Sequence, residues 1–190
     1  FVLPGEYKVT LVAAGAETAK TLKVEGDPRI DVSLSERKAQ HDALMRLYKL
    51  TPLLGQAQRT LDALQKEIRE AEGTLKKVPG APATLTEALK SALKEVEDIR
   101  KELIGDPSAG FMGMMSTVRG RLLFVGRSIS GYTGAPSERQ LKEIAVNEEK
   151  LMALADRINK IIDETIPRLN KLMNENNIPH LLPVPRIKLN

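Results

Sequence analysis

LYKLTPLLGQAQRTLDALQKEIREAEGTL, residues 47–75, decides the fold. Within it Leu47, Leu54, Leu61, Ile68 and Leu75 recur every seven residues, and Leu50, Ala57, Leu64 and Ala71 stand three places after the first four. Seven residues are close to two turns of an α-helix, so both sets fall on one side and form a seam that water disfavours. Ser33-Leu34-Ser35-Glu36 fits a capping box, in which the serine hydroxyl takes an orphan amide and the glutamate reaches back. A first helix is expected from about Ser35 to about Lys77.

Downstream, Pro79-Gly80-Ala81-Pro82 breaks the pattern. Thr84-Leu85-Thr86-Glu87 reads as a second capping box, and Leu85, Leu89, Ala92, Val96, Ile99 and Leu103 then step by four and three. Gly105 is placed to end that helix. A third helix is expected to carry Phe111, Met115, Val118, Leu122, Val125 and Ile129 on one face. After Gly131–Pro136, Ser137-Glu138-Arg139-Gln140 caps a fourth, with Ile144, Leu151, Ala155, Ile158, Ile162, Leu169 and Leu172 as its seam, ending near Asn176-Asn177. The expected fold is mainly α: an antiparallel four-helix bundle, up-down-up-down, with two long helices of about 60 Å and two short ones of about 30 Å. Pro52 and Pro167 would bend the long helices where the short pair ends, letting them clasp the β part below.

Upstream, Tyr7, Val9 and Leu11 alternate with Glu6, Lys8 and Thr10, the period of a half-buried strand. Ala14-Gly15-Ala16-Glu17 reads as a turn, and Thr18–Val24 as a second strand with Leu22 and Val24 facing alike. A lone hairpin has one apolar face and no cover. Residues 1–31 are therefore expected to be the end of an incomplete Ig-like β-sandwich, or to be covered by the helices. Residues 32–178 would form the bundle. The proline-rich tail, 179–190, would lie extended against the hairpin or the proximal helices.

Composition narrows the chemistry. Of 190 residues, 29 are basic and 25 acidic, a net +4; there is no cysteine, and histidine occurs only at His41 and His180. Disulfide scaffolds, thiolate zinc sites, cysteine nucleophiles and histidine-rich metal centres are excluded. Apolar residues at 42% against aromatic ones at 3% call for a core of Leu, Ile, Val, Ala and Met, which suits helices. No phosphate loop, dinucleotide fingerprint, HExxH or nucleophile elbow occurs, so no catalytic residue, cofactor or metal site is expected. The carboxylates Glu67, Glu70, Glu72, Glu95, Glu97, Asp98, Glu148 and Glu149 interleave with lysines and arginines as a solvated face would, Glu67 beside Lys66 and Glu148 on the seam side. His41 and His180 read as ordinary surface or satisfied histidines.

The third helix stands apart. From Ser108 to Gly134 it holds Arg119, Arg121 and Arg127 and no acidic residue. A basic strip could meet a carboxylate-bearing glycan, a phosphate or an acidic protein; the plainer reading pairs these arginines with the acidic faces of the second and fourth helices. Met112 and Met114, with Met115, could form an adaptable surface, or fill an irregular bundle end. Gly113, Gly120 and Gly126 are expected to permit close helix approach. Nucleic acid is disfavoured by the small net charge and the lack of aromatic platforms, and no apolar run is long enough to span a membrane.

Leu-Pro-Gly-Glu-Tyr-Lys-Val-Thr-Leu (Leu3–Leu11), Leu-Lys-Val-Glu-Gly-Asp-Pro-Arg (Leu22–Arg29) and the long Leu-rich region opened by Ser35 together resemble the C-terminal region of bacterial exported sortilin-like proteins with BNR-repeat β-propellers, often labelled glycosyl hydrolases. The specific part is the Pro-Gly-x-Tyr-x-Val strand and the Asp-Pro-Arg junction. In that family a propeller precedes this region; its Ser-x-Asp-x-Gly-x-x-Trp boxes are absent here, so no functional residue carries over. The resemblance implies an exported bacterial setting (periplasmic, cell-surface or secreted) and an accessory role. The start at Phe1 rather than Met agrees with a processed product or a piece of something longer. The expected function is a non-enzymatic docking, assembly or oligomerisation module. Its partners would be upstream domains of the same protein, another protein or a second copy. The alternative is the substrate-presenting C-terminal part of a BNR-repeat glycosyl hydrolase.

Overall fold

Ser33 opens the helical part as its sequence requires: its Oγ accepts the Glu36 amide at 3.3 Å, and Glu36 Oε2 accepts the Ser33 amide at 2.9 Å. The computed structural model describes residues 2–188; Phe1, Leu189 and Asn190, the ends of the expected hairpin and tail segments, lie outside the described residues. Helix α1 runs Leu34–Leu75 without a break through Pro52. Its seam is buried at Leu50, Ala57, Leu61, Leu64, Ile68, Ala71 and Leu75, and half-buried at Leu47 and Leu54.

Helix α2 (Ala83–Ile104) starts directly after Pro82, with no side-chain cap. Thr84 and Glu87 are therefore inside the helix, Thr84 in its first turn and Glu87 just past it, rather than forming the expected capping box, and Glu87 pairs with Lys90 at 3.1 Å. All six residues of the expected apolar face are buried, and Gly105 ends the helix at φ 90°.

The expected third helix is two helices. A 3-10 turn at Pro107–Ala109 leads into α3 (Gly110–Met115), and α4 spans Val118–Ser130. Thr117 makes the break: its extended backbone leaves the helix, its Oγ1 accepts the Gly120 amide at 3.0 Å, and the same hydroxyl donates to Met114 O at 2.7 Å. Gly120 sits so close to α3 that a Cβ there would lie 2.1 Å from Met114 O. After the break Val118, Leu122, Val125 and Ile129 are buried as expected, whereas Phe111 is exposed.

Cross-links between helices set the topology. α2 lies along the second half of α1, through Arg69–Glu97 at 3.0 Å and an Arg100–Asp62 pair. α4 lies along the first half: Arg119 Nη1 donates to Gln58 Oε1 at 3.0 Å, Gly126 abuts Leu47, and Gln40 Nε2 donates to Ile129 O at 2.8 Å. α2 and α4 thus follow one another end to end, antiparallel to α1, and the α3 linker carries the chain onward instead of turning it back. Helix α5 (Glu138–Lys160), capped by the expected Ser137–Gln140 box, returns beside both through Arg121–Glu143 at 2.9 Å and Arg157–Glu102 at 2.8 Å, and beside α1 through Arg46–Glu148 at 2.6 Å. The helices therefore make three rods, the middle one interrupted, in place of the expected four-helix bundle. Periodicity specifies which face of each helix is buried, but not whether successive helices lie side by side or end to end.

The third rod passes through a π-turn at Ile161–Thr165 before α6 (Ile166–Glu175). There the Ile166 amide reaches Ile161 O, one residue beyond an ordinary helical bond, just ahead of Pro167, which has no amide to give. Across it Ile161, Ile166 and Met173 are buried together with the expected Leu169, while Ile162 and Leu172, expected on the seam, are half-buried against the core. Beyond α6, the tail runs back along the groove between α1 and the third rod. Leu181 N donates to Asn170 Oδ1 at 2.7 Å, Leu182 N to Glu67 Oε2 at 3.0 Å, and Ile187 N to Asn159 Oδ1 at 2.8 Å. Ile178, Leu181 and Ile187 join the main core, so the tail docks on the helices and not on the hairpin.

Strands β1 (Gly5–Ala13) and β2 (Ala16–Val24) form an antiparallel hairpin with Tyr7 opposite Leu22 and Val9 opposite Lys20. Ala14 and Gly15 turn it with φ 49° and 80°, the left-handed pair that a two-residue hairpin loop needs. Period two places Tyr7, Val9, Leu11, Leu22 and Val24 on one face, and Val9, Leu11 and Leu22 are exposed. Among the described residues no helix covers either strand, so the clasp expected of bent long helices is not formed. Asp27 fixes the exit from the hairpin, accepting from Arg29 N, Nε and Nη2 at 3.0, 3.0 and 2.7 Å; these bonds, the side-chain ones foremost, hold its carboxyl below the usual range.

Candidate functional site

The interruption of the middle rod creates the surface of interest. On a continuous helix the residues between α2 and α4 would fill their share of the bundle face; here they project as α3, and the outer side of α4 stays largely exposed beside it. Leu123 and Phe124, which lie off the Val118–Leu122–Val125–Ile129 seam, are 55% and 61% exposed, and Phe111 is 69% exposed.

Arg119, Leu123 and Arg127 stand four residues apart, and that spacing places them in one line along α4. This ridge separates two grooves. One, about 440 Å³, lies between α4 and α1, floored by Leu47, Leu50 and Leu54 and walled by the exposed Tyr48. The other, about 690 Å³, lies between α4 and α3, lined by Phe111, Met114, Met115 and Phe124. Arg119, Leu123 and Arg127 border both, and no carboxylate lines either.

The three arginines divide. Arg121 is paired as the plainer reading requires: its Nη1 donates to Glu143 Oε1 at 2.9 Å and holds that carboxyl below its usual range, helped by Asn147 Nδ2 at 3.1 Å. Arg119 meets only the neutral Gln58, and Arg127 has no carboxylate within ion-pair distance among the described residues. Met112 is 78% exposed and Met114 is exposed too, so they do not plug a bundle end; Met114 lines the larger groove and Met112 does not. Of the residues expected to bind a partner, Arg119, Arg127 and Met114 come together, while Arg121 and Met112 stand apart.

Leu123, Phe124, Tyr48 and Phe111 were missed. The signal for the first two was present: adjacent large apolar side chains on the otherwise polar side of an amphipathic helix. The glycines also divide by role. Gly126 brings α4 to α1, whereas Gly120 and Gly113 serve contacts within the 109–120 segment itself.

Of the eight expected solvated carboxylates, Glu70, Glu95, Asp98 and Glu149 are exposed as expected, Glu70 with Lys66 at 3.9 Å, and three serve as structural links. Glu67 holds the tail backbone rather than Lys66, Glu97 takes Arg69 and Gln65, and the half-buried Glu148 takes Arg46. His41 is half-buried, with Nδ1 lacking a hydrogen-bond partner and Asp42 Oδ1 at 3.5 Å. Among the described residues no group of three or more His, Cys, Asp or Glu could hold a metal ion, and no helix is long and apolar enough to cross a membrane. No protein-family profile, curated protein or solved structure matches the chain.

Proposed function

We propose that this chain is a non-enzymatic docking module of a larger exported bacterial protein, of the kind its Pro-Gly-x-Tyr-x-Val strand and Asp-Pro-Arg junction resemble. The single observation that carries the reading is the ridge of Arg119, Leu123 and Arg127 between two apolar grooves, left uncovered by the bundle. Isolated exposed apolar side chains are ordinary; a contiguous patch rimmed by charge marks an interaction surface. The rest of the fold supports a scaffold role. α1 is about 63 Å long, most of its seam is buried, and five ion pairs link the rods.

The hairpin supplies the attachment. Its apolar face, with Val9, Leu11 and Leu22 exposed, is suited to further strands, and we assign it as the last ribbon of an Ig-like sandwich. The Asp27–Arg29 lock would then transmit that sandwich's position to α1, and the module would hold a partner at a set distance from the parent protein's other domains.

The test is site-specific photo-crosslinking in the full-length protein, with the crosslinking residue at position 124 and, as a control, at the exposed Glu149. The reading expects one identified protein or domain to be captured from position 124 and not from 149. Equal capture from both positions, or none from 124, would sink it. Glycoside hydrolysis by the isolated chain would overturn its non-enzymatic part.

A further inference from the structure

We infer that the α4 ridge recognises an acidic amphipathic segment of a protein, one whose apolar stripe crosses Leu123 and whose carboxylates reach Arg119 and Arg127. This rests on the docking reading above and names its partner class. The argument is one of charge left over. Every residue from Ser108 to Gly134 is neutral or basic, and among the described residues only Arg121 of the three arginines finds a carboxylate. Arg119 and Arg127 border both grooves, whose linings hold no acid to compensate them. A guanidinium stays ionised at any physiological pH and presents a planar fork that matches a carboxylate with two bonds.

The spacing selects the geometry of the guest. Arg119 and Arg127 are eight residues apart, so their Cα atoms are separated by about 12 Å along the helix axis. A helix laid along the ridge would meet both with acidic residues seven or eight apart, while side chains three or four from each descend to either side of Leu123. The grooves are concave and apolar, with Tyr48 and Leu47 on one side and Phe111, Met114 and Phe124 on the other. A bilayer surface would fill neither, and a phosphate backbone would leave both apolar floors wet. The apolar contact would supply affinity, while the charges set orientation and partner choice.

The probe is a pair of synthetic helical peptides of about 18 residues, identical in a leucine stripe, one carrying glutamates eight apart and the other lysines at the same places. Each is titrated by fluorescence anisotropy against the whole chain at low and high salt. The glutamate peptide is expected to bind at least about tenfold more tightly, with the margin shrinking at high salt. Arg119→Ala with Arg127→Ala should level the two peptides, whereas Arg121→Ala should preserve the preference; circular dichroism checks that each variant folds. Equal binding of both peptides would overturn the charge assignment and leave docking standing. Failure of both peptides, with a position-124 adduct still formed, would overturn this inference alone. Binding of phosphatidylglycerol vesicles or single-stranded RNA at the ridge in preference to the glutamate peptide would overturn it. So would self-association that Arg119→Glu with Arg127→Glu abolishes, which would make the guest a second copy.

Discussion

Asn159 and the backbone of Ile187 exchange two hydrogen bonds, Ile187 N to Oδ1 at 2.8 Å and Nδ2 to Ile187 O at 3.0 Å, with both residues buried. Asn170 repeats the exchange with Leu181, at 2.7 and 3.3 Å. An extended tail has no ladder of its own, so its buried amides and carbonyls need partners from elsewhere. Two asparagine side chains on the third rod provide them, in the way a neighbouring strand would.

Asn159→Ala is expected to leave one buried donor and one buried acceptor unpaired, at a cost of about 2–4 kcal/mol. Urea denaturation measures the loss, and hydrogen exchange locates it at the Ile187 amide. A stability within error of wild type, with Ile187 still protected, would contradict the role given to Asn159.

Gly120 and Gly126 are both interior to α4, and alanine should act on them in opposite directions. A Cβ at Gly120 would lie 2.1 Å from Met114 O and 2.9 Å from Met115 Cα, backbone atoms that cannot step aside. Gly120→Ala is expected to destabilise by about 2 kcal/mol or more, or to displace α3, because overpacking outweighs helix propensity. At Gly126 the Cβ would meet only Leu47 Cδ1, at 3.4 Å, the end of a flexible side chain. Gly126→Ala should therefore be neutral or stabilise by up to about 1 kcal/mol. Thermal melts of the two variants decide it; equal destabilisation would refute the assigned close approach.

The seams of α1 and α2 were legible because burial against a partner helix imposes a period, and residues such as Leu61, Leu64, Leu89 and Val96 keep to it. The break at Thr117 was visible only as a Ser-Thr pair ahead of Val118, an N-cap signal hidden inside a periodic run that continued across it. The π-turn before Pro167 left even less trace, since one inserted residue brings Ile166 and Met173 into the core without changing composition. The candidate site was half legible. The lack of acids in sequence around Arg119 and Arg127 is a property of the sequence, but Glu143 reaching Arg121, and no carboxylate among the described residues reaching Arg127, is a property of how α5 returns past α4.

The Arg121–Glu143 pair gives a pH dependence with a definite sign. Glu143 is held below its ordinary value chiefly by the Arg121 hydrogen bond, so its stabilisation is fully present above the unfolded-state carboxylate range and fades as pH falls through the lowered folded value. The pair is partly exposed, and solvent screening limits it to about 0.5 kcal/mol. Arg121→Ala should cost that much at neutral pH and almost nothing well into the acid range. Denaturation at the two pH values checks it; a loss of the same size at both would remove the electrostatic account.

Ala14 holds φ at 49° in the hairpin turn, a conformation in which its Cβ crowds the backbone. Asparagine tolerates this region better and is favoured at the first place of such a two-residue loop, with Gly15 already at the second. Ala14→Asn is expected to stabilise the hairpin by about 1 kcal/mol. Because no helix covers β1 or β2, that gain should remain local: amides of Val12 and Glu17 exchange more slowly, while the thermal midpoint of the helices stays where it is. A shift of the helical midpoint by several degrees would mean that the ribbon and the rods melt as one unit, and would require contacts between them that the exposed Val9, Leu11 and Leu22 do not make.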